Sequence, residues 1–116
     1  MFRGKVRKGK NRGKLLGFPT VNIALYKTIP EGVYASKIKI DNQDFIAATF
    51  IGNAKTFNET EYKAEGYILD FNQDIYGKWI TIKLFQKLRG NKKFKTEEEL
   101  INQMKQDVLI TRKLFS

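Results

Sequence analysis

Val33–Ile51 reads VYASKIKIDNQDFIAATFI, and this stretch decides the fold. Side chains on a strand point to opposite faces in turn, and Ser36-Lys37-Ile38-Lys39-Ile40 alternates polar and apolar as a half-buried strand does. Asp41-Asn42-Gln43-Asp44 supplies the residue types of a hairpin connection, and strand character resumes from Phe45 to Ile51. Strands joined by so short a connection run antiparallel.

On either side of this hairpin the same pattern recurs. Phe2–Val6, Phe18–Ala24, Lys63–Phe71 and Trp79–Gln86 read as strands. Thr28–Gly32 is a turn, Gly52–Thr60 a polar loop, and Asn72–Lys78 a turn around Tyr76-Gly77. Short strands broken by turn signals, with no helix between them, predict an antiparallel barrel or sandwich. Helix is expected only at the end. Thr96 is placed to cap it, with Glu99 three residues on, and Glu97–Glu99 suit the positive end of its dipole. Ile101, Met104, Val108 and Phe115 then form one stripe that packs on the strands. The 116 residues read as a single domain, with strands over about 1–90 and the helix over about 96–115.

Composition narrows the chemistry. Hydrophobic residues at 41% and charged residues at 29% describe a soluble globular chain. No apolar run approaches a membrane span, and the start of the chain lacks the apolar core of a secretory signal, so the expected location is cytoplasmic. Cysteine and histidine are both absent. That removes disulfides, cysteine nucleophiles, imidazole bases and ordinary structural zinc. Any metal must be held by oxygen, which points to magnesium or another hard cation. The formal charge is +10, and Arg3 through Lys14 carry seven basic residues before the first acid at Glu31. Such a balance suits a polyanion, either nucleic acid or a nucleotide triphosphate.

Gly9–Ile23, GKNRGKLLGFPTVNI, is where that anion would be met. Gly9, Gly13 and Gly17 alternate with Lys10, Arg12 and Lys14. Glycine lets backbone N–H groups approach and cradle an anion, and the cations add charge. Pro19 then fixes one φ angle, and Thr20 and Asn22 project from one strand face while Val21 and Ile23 take the other. The stretch reads either as a phosphate-cradling loop leading into two oxygen ligands, or as a solvated basic loop before an ordinary strand. It fits neither the P-loop, having Leu15 where Ser or Thr should stand, nor the kinase glycine loop. A base must be a carboxylate, lysine or tyrosine, and Glu65 is the prominent candidate, on a strand face with Tyr67, Leu69 and Phe71. A carboxylate desolvated beside apolar side chains becomes a stronger base, and Gly66 would leave room for a substrate. Pairing of Glu65 with a strand-end lysine is the alternative.

Taken in order, these segments resemble riboflavin kinase, the flavokinase module of bacterial bifunctional FAD synthetases. The likeness runs through Gly13–Asn22, Gly32–Ala35, Ile51-Gly52, Thr56-Phe57, Glu65 to Phe71, Asp74–Gly77, Leu88-Arg89, Lys93-Phe94, Glu99-Leu100, Gln103 and Asp107. The resemblance implies a six-stranded antiparallel Greek-key β-barrel with a C-terminal α-helix. It implies transfer of the ATP γ-phosphate to the 5′-hydroxyl of riboflavin, giving FMN and ADP, with magnesium. Gly9, Gly13, Lys14, Gly17, Phe18 and Pro19 would then cover the nucleotide phosphates, Thr20 and Asn22 would bind metal and phosphates, and Glu65 would act as base. Arg89 and Phe94 would lie near the flavin. Three departures stand out: Val21 for alanine, Lys14 where arginine is frequent, and Lys55 where proline is usual. The expected partners are these small molecules alone, with no specific nucleic acid, no membrane, and a monomer unless the module sits in a longer chain. A basic barrel that binds nucleic acid through its aromatics, or a catalytically silent flavin-binding module, are the rival readings.

Overall fold

The fold was obtained as a computed structural model, which describes residues 1–7, 20–56, 59–71 and 75–116. Its elements are β1 (Phe2–Lys5), β2 (Thr20–Ala24), β3 (Gly32–Ile40), β4 (Gln43–Thr56), β5 (Glu59–Ile68), β6 (Trp79–Arg89) and α1 (Glu97–Leu114). The hairpin that anchors the reading is β3–β4, paired from Gly32↔Ile51 to Ile40↔Gln43. Its connection is tighter than the sequence suggests. Asp41 and Asn42 alone make the turn, at φ 51° and 66°. Both angles are positive, the geometry whose twist matches the flanking strands, and Asp and Asn tolerate it better than most residues do.

The strand order is β1-β6-β3-β4-β5-β2, and every pairing is antiparallel. β3, β4 and β5 follow one another, and β6 returns to lie beside β3, which is the Greek-key connection. The two ends of the sheet meet in a nearly closed barrel. Gly4 makes that seam possible, because a Cβ there would stand 2.9 Å from Cβ of Ile23. Beyond it, the Arg7 amide donates to the Asn22 carbonyl at 2.6 Å.

Two cores divide the apolar residues. Val6, Val21, Ile23, Ile38, Ala47, Ile51, Ala64, Ile68, Ile80 and Ile82 fill the barrel interior. Val21 therefore faces away from Thr20 and Asn22, as alternation requires. A second, outer core of Ala48, Tyr67, Leu69, Met104 and Val108 holds α1 against the barrel wall. The capping of α1 follows the sequence: Thr96 Oγ1 accepts from the Glu99 amide at 3.2 Å. Along the helix, Met104 and Val108 are buried as expected, but buried Asp107 and Thr111 share their stripe. Phe115 forms the C-cap and meets Phe85 edge-on at 5.2 Å.

Two expectations are corrected. The proposed loop at Gly52–Thr60 is an extension of β4 and β5, paired from Gly52↔Lys63 to Thr56↔Glu59. Period-two hydrophobicity marks strands with one face in a core, and this polar arm is a ladder of backbone hydrogen bonds instead. Second, Phe71 does not share the face of Glu65. β5 ends at Ile68, Asp70 takes φ 56°, and the reversed chain packs Phe71 on Phe45 at 4.7 Å, against the barrel interior.

Candidate active site

The register of the sheet assembles the site. Because Val21, Ile23, Ala64 and Ile68 point inward, Thr20 and Asn22 point outward, opposite Tyr67 and Glu65 respectively. The same row continues from Glu65 to Phe50, from Phe50 to Val33 and from Val33 to Arg89. Five strands thus contribute one side chain each to a line across the outside of the barrel. Arg7, bridged to Asn22, extends the line at its far end.

A cleft lies along this row. Glu65, Phe50, Val33 and Arg89 line it with Tyr67, while Leu100 and Met104 supply the helix side. Lys92 and Phe94, from the connection between β6 and α1, line it too. Glu65 is 1% exposed, so a carboxylate stands in a setting that is otherwise largely apolar and aromatic. The cavity measures about 30 Å³, room for a water and not for a fused ring system.

Gly66 does not open space for a substrate, contrary to the sequence expectation. It faces the barrel interior, where its missing Cβ leaves room for Ile38, Thr49 and Val21. Alternation explains this: a neighbour of Glu65 in sequence must look the other way.

Asp107, to which the sequence assigned no task, ties the helix to the cleft. Arg89 Nη2 donates to its Oδ2 at 2.8 Å, and Arg89 Nε to its Oδ1 at 3.0 Å. Gln103 Nε2 adds a bond to Oδ1 at 3.2 Å, and the Tyr67 hydroxyl lies 3.5 Å from Oδ2. The Arg89 and Asp107 side chains are 20% and 1% exposed, so the pair is largely withdrawn from water. Breaking such a pair by removing one partner costs about 3–5 kcal/mol. Burial first, and then the Asp107 charge, push the Tyr67 pKa well above its ordinary value. Tyr67 therefore stays protonated and acts as a donor. The spacing of Gln103 and Asp107, four apart on the stripe of Met104 and Val108, was the signal available in sequence.

Of the residues singled out from sequence, Asn22 and Glu65 stand as direct cross-strand neighbours, with Thr20 two residues before Asn22 on the same face. Arg89 and Phe94 share the cleft with Glu65. Gly9, Gly13, Lys14, Gly17, Phe18 and Pro19 lie outside the described residues. No described group of three or more acidic residues could hold a metal ion. Asn22 Oδ1, however, is a buried oxygen with no hydrogen-bond partner. Next to Glu65, and with the Thr20 hydroxyl on the same face, it fits a hard cation that keeps few protein ligands and shares phosphate oxygens. Among the described residues, no helix is long and apolar enough to cross a membrane.

The chain is similar to known proteins over almost its whole length. The family described as "Flavokinase: Riboflavin kinase" matches residues 1–115. The trifunctional protein RibF/MnmA of Mycoplasmoides gallisepticum is 40% identical over 109 residues, covering 91% of this chain and 17% of that protein. A bifunctional riboflavin kinase/FMN adenylyltransferase of Listeria monocytogenes is 38% identical, over 98% of this chain and 38% of its own length. The chain therefore spans less than two fifths of either bacterial relative. The crystal structure of riboflavin kinase from Trypanosoma brucei superposes with a TM-score of 0.65 at 28% identity, covering 97% of this chain and 76% of that one.

Proposed function

The chain belongs to the riboflavin kinase family, and from that premise we propose that it transfers the γ-phosphoryl group of ATP to the 5′-hydroxyl of riboflavin, releasing FMN and ADP. The observation that carries this reading is the outer row: a buried carboxylate, Glu65, lines a cleft and pairs across the strands with Asn22, whose amide oxygen is buried without a hydrogen-bond partner. An aromatic and cationic wall of Phe94 and Arg89 lines the same cleft. One end of the row, at Asn22 and Glu65, has the oxygen chemistry of phosphoryl transfer, and the other, at Arg89, has a flat surface that suits an aromatic ring.

Phosphoryl transfer depends on positioning and charge balance more than on covalent chemistry. Glu65 orients the ribityl hydroxyl and accepts its proton as the new O–P bond forms and the bond to the ADP oxygen breaks. A positioned base of this kind contributes roughly 10²–10⁴-fold. Thr20 and Asn22 would hold magnesium, which when bound supplies neutralising charge to the phosphate oxygens. Gly9, Gly13, Lys14, Gly17, Phe18 and Pro19 would cover those phosphates with backbone amides and one ammonium group. Barrel and helix together act as one kinase module, working in the cytoplasm on small molecules without nucleic acid or membrane.

Incubating the protein with riboflavin, ATP and magnesium and separating the flavins by chromatography tests the reading. FMN must appear, and only when all three are present. Riboflavin retained without conversion would favour a silent flavin binder instead.

A further inference from the structure

Arg89 is held more firmly than a residue at the lip of a cleft usually is. Its Nε reaches both oxygens of Asp107, at 3.0 and 3.2 Å, and its Nη2 reaches Oδ2 at 2.8 Å. Its Nη1 donates to the Gly90 carbonyl at 3.1 Å. Gln103 and Tyr67 converge on the same carboxylate from the helix and from β5. Asp107 thus collects donors from three elements, and the charge of Arg89 is balanced inside the protein. What Arg89 still offers the cleft is the face of a planar, delocalised group, which stacks well on aromatic rings.

That face already has a ring near it. The Phe94 centroid lies 5.9 Å from Arg89 Cζ, with Lys92 Nζ on the same ring at 6.0 Å. Phe94 sits on the segment between β6 and α1, which has neither strand nor helix. The cavity of about 30 Å³ must widen before a three-ring ligand can enter. Of its two flat walls, one is bolted through Asp107 to the helix, and the other is carried by an irregular connection.

We infer that Asp107 is a positioning residue that fixes Arg89 as the immobile wall of the cleft, against which the isoalloxazine ring of riboflavin is received when Phe94 gives way. This rests on the riboflavin reading above. Asp107 touches no reacting atom; it acts through Arg89.

Riboflavin affinity, read by quenching of flavin fluorescence, separates this role from simple support of the helix. Asp107→Asn should weaken riboflavin binding on the order of 10- to 100-fold, the range by which loss of an outer hydrogen-bond partner weakens metal sites, and leave the KM for ATP unchanged. Arg89→Lys keeps the ion pair but loses the planar fork, and should show the same loss with the fold intact; it decides the matter if Asp107→Asn does not fold. Val108→Ala loosens helix docking without touching the clamp. It should lower Tm yet leave riboflavin affinity unchanged. Unaltered affinity in Arg89→Lys, or losses that merely track Tm across all three variants, would overturn the inference. If the unmodified protein binds riboflavin but makes no FMN, the kinase reading fails while the clamp comparison still stands. If it binds no riboflavin, both fall.

Discussion

Gly66→Ala probes how the barrel interior supports the site outside it. A methyl group at Gly66 would lie 2.9 Å from Ile38 Cδ1, 3.2 Å from Thr49 Oγ1 and 3.4 Å from Val21 Cγ2. Comfortable contact begins near 3.5 Å. Thr49 cannot easily step back, because its hydroxyl is bonded to Ser36 Oγ at 2.6 Å. Ile38 is fully buried, so its displaced methyl must press on other interior atoms. Overpacking of this kind costs about 1–3 kcal/mol, and the reduced freedom of the unfolded chain returns about 0.4–1 kcal/mol. The net loss should be about 0.5–2 kcal/mol, read as a lower urea midpoint at unchanged slope. Ile38→Val removes the one atom that clashes hardest and alone costs about 0.5–1.5 kcal/mol. The double variant should therefore lose less than the two singles summed, by roughly 0.5 kcal/mol or more. FMN turnover should fall in Gly66→Ala, since Glu65 and Tyr67 flank it, and partly return in the double variant. Strict additivity, or a Gly66→Ala protein as stable as the parent, would refute the packing account.

Three further outcomes are expected. Glu65→Gln keeps the shape of the side chain, so riboflavin affinity should hold while turnover drops about 10²–10⁴-fold; parental turnover would remove Glu65 from the chemistry. Asn22→Ala deletes a buried oxygen with no partner, so its urea-unfolding free energy in the absence of magnesium should shift by less than about 1 kcal/mol. The magnesium concentration needed for half-maximal turnover should nonetheless rise, and an unchanged requirement would count against a metal role. Finally, Arg112 donates to Asp70 at 2.9 Å and, chiefly through that bond, holds its carboxyl below the ordinary range. A lowered folded pKa stabilises above the unfolded value and is lost as pH falls through the folded one. Arg112→Ala should cost about 0.2–1 kcal/mol at neutral pH, as exposed pairs do. That deficit should close well below the ordinary Asp value of about 3.9; a gap that persists in acid would show another cause.

Much of this was legible because hydrophobic alternation and turn chemistry are local. The β3–β4 hairpin, the Thr96 cap and the outward pairing of Thr20 with Asn22 all follow from spacing within a few residues. The polar arm of β4 and β5 escaped because backbone hydrogen bonds leave no hydrophobic trace. Asp107 is harder to see: its place on the Met104–Val108 stripe hints at burial, but its role shows only when its partner, 18 residues away in sequence, is placed beside it. The role of Gly66 is hidden because its missing side chain makes room in the interior, which adjacency to Glu65 conceals.

Asn22, Glu65, Phe50, Val33 and Arg89 come from five strands but stand at one level around the outer wall. A slip of any one strand by a single residue would exchange its member for a side chain meant for the interior. Misregistered chains would thus be inert as well as unstable, with no half-working intermediates between correct and failed assembly. Catalytic output in this architecture would double as an audit of folding, so specific activity would report the fraction of correctly threaded molecules in a preparation.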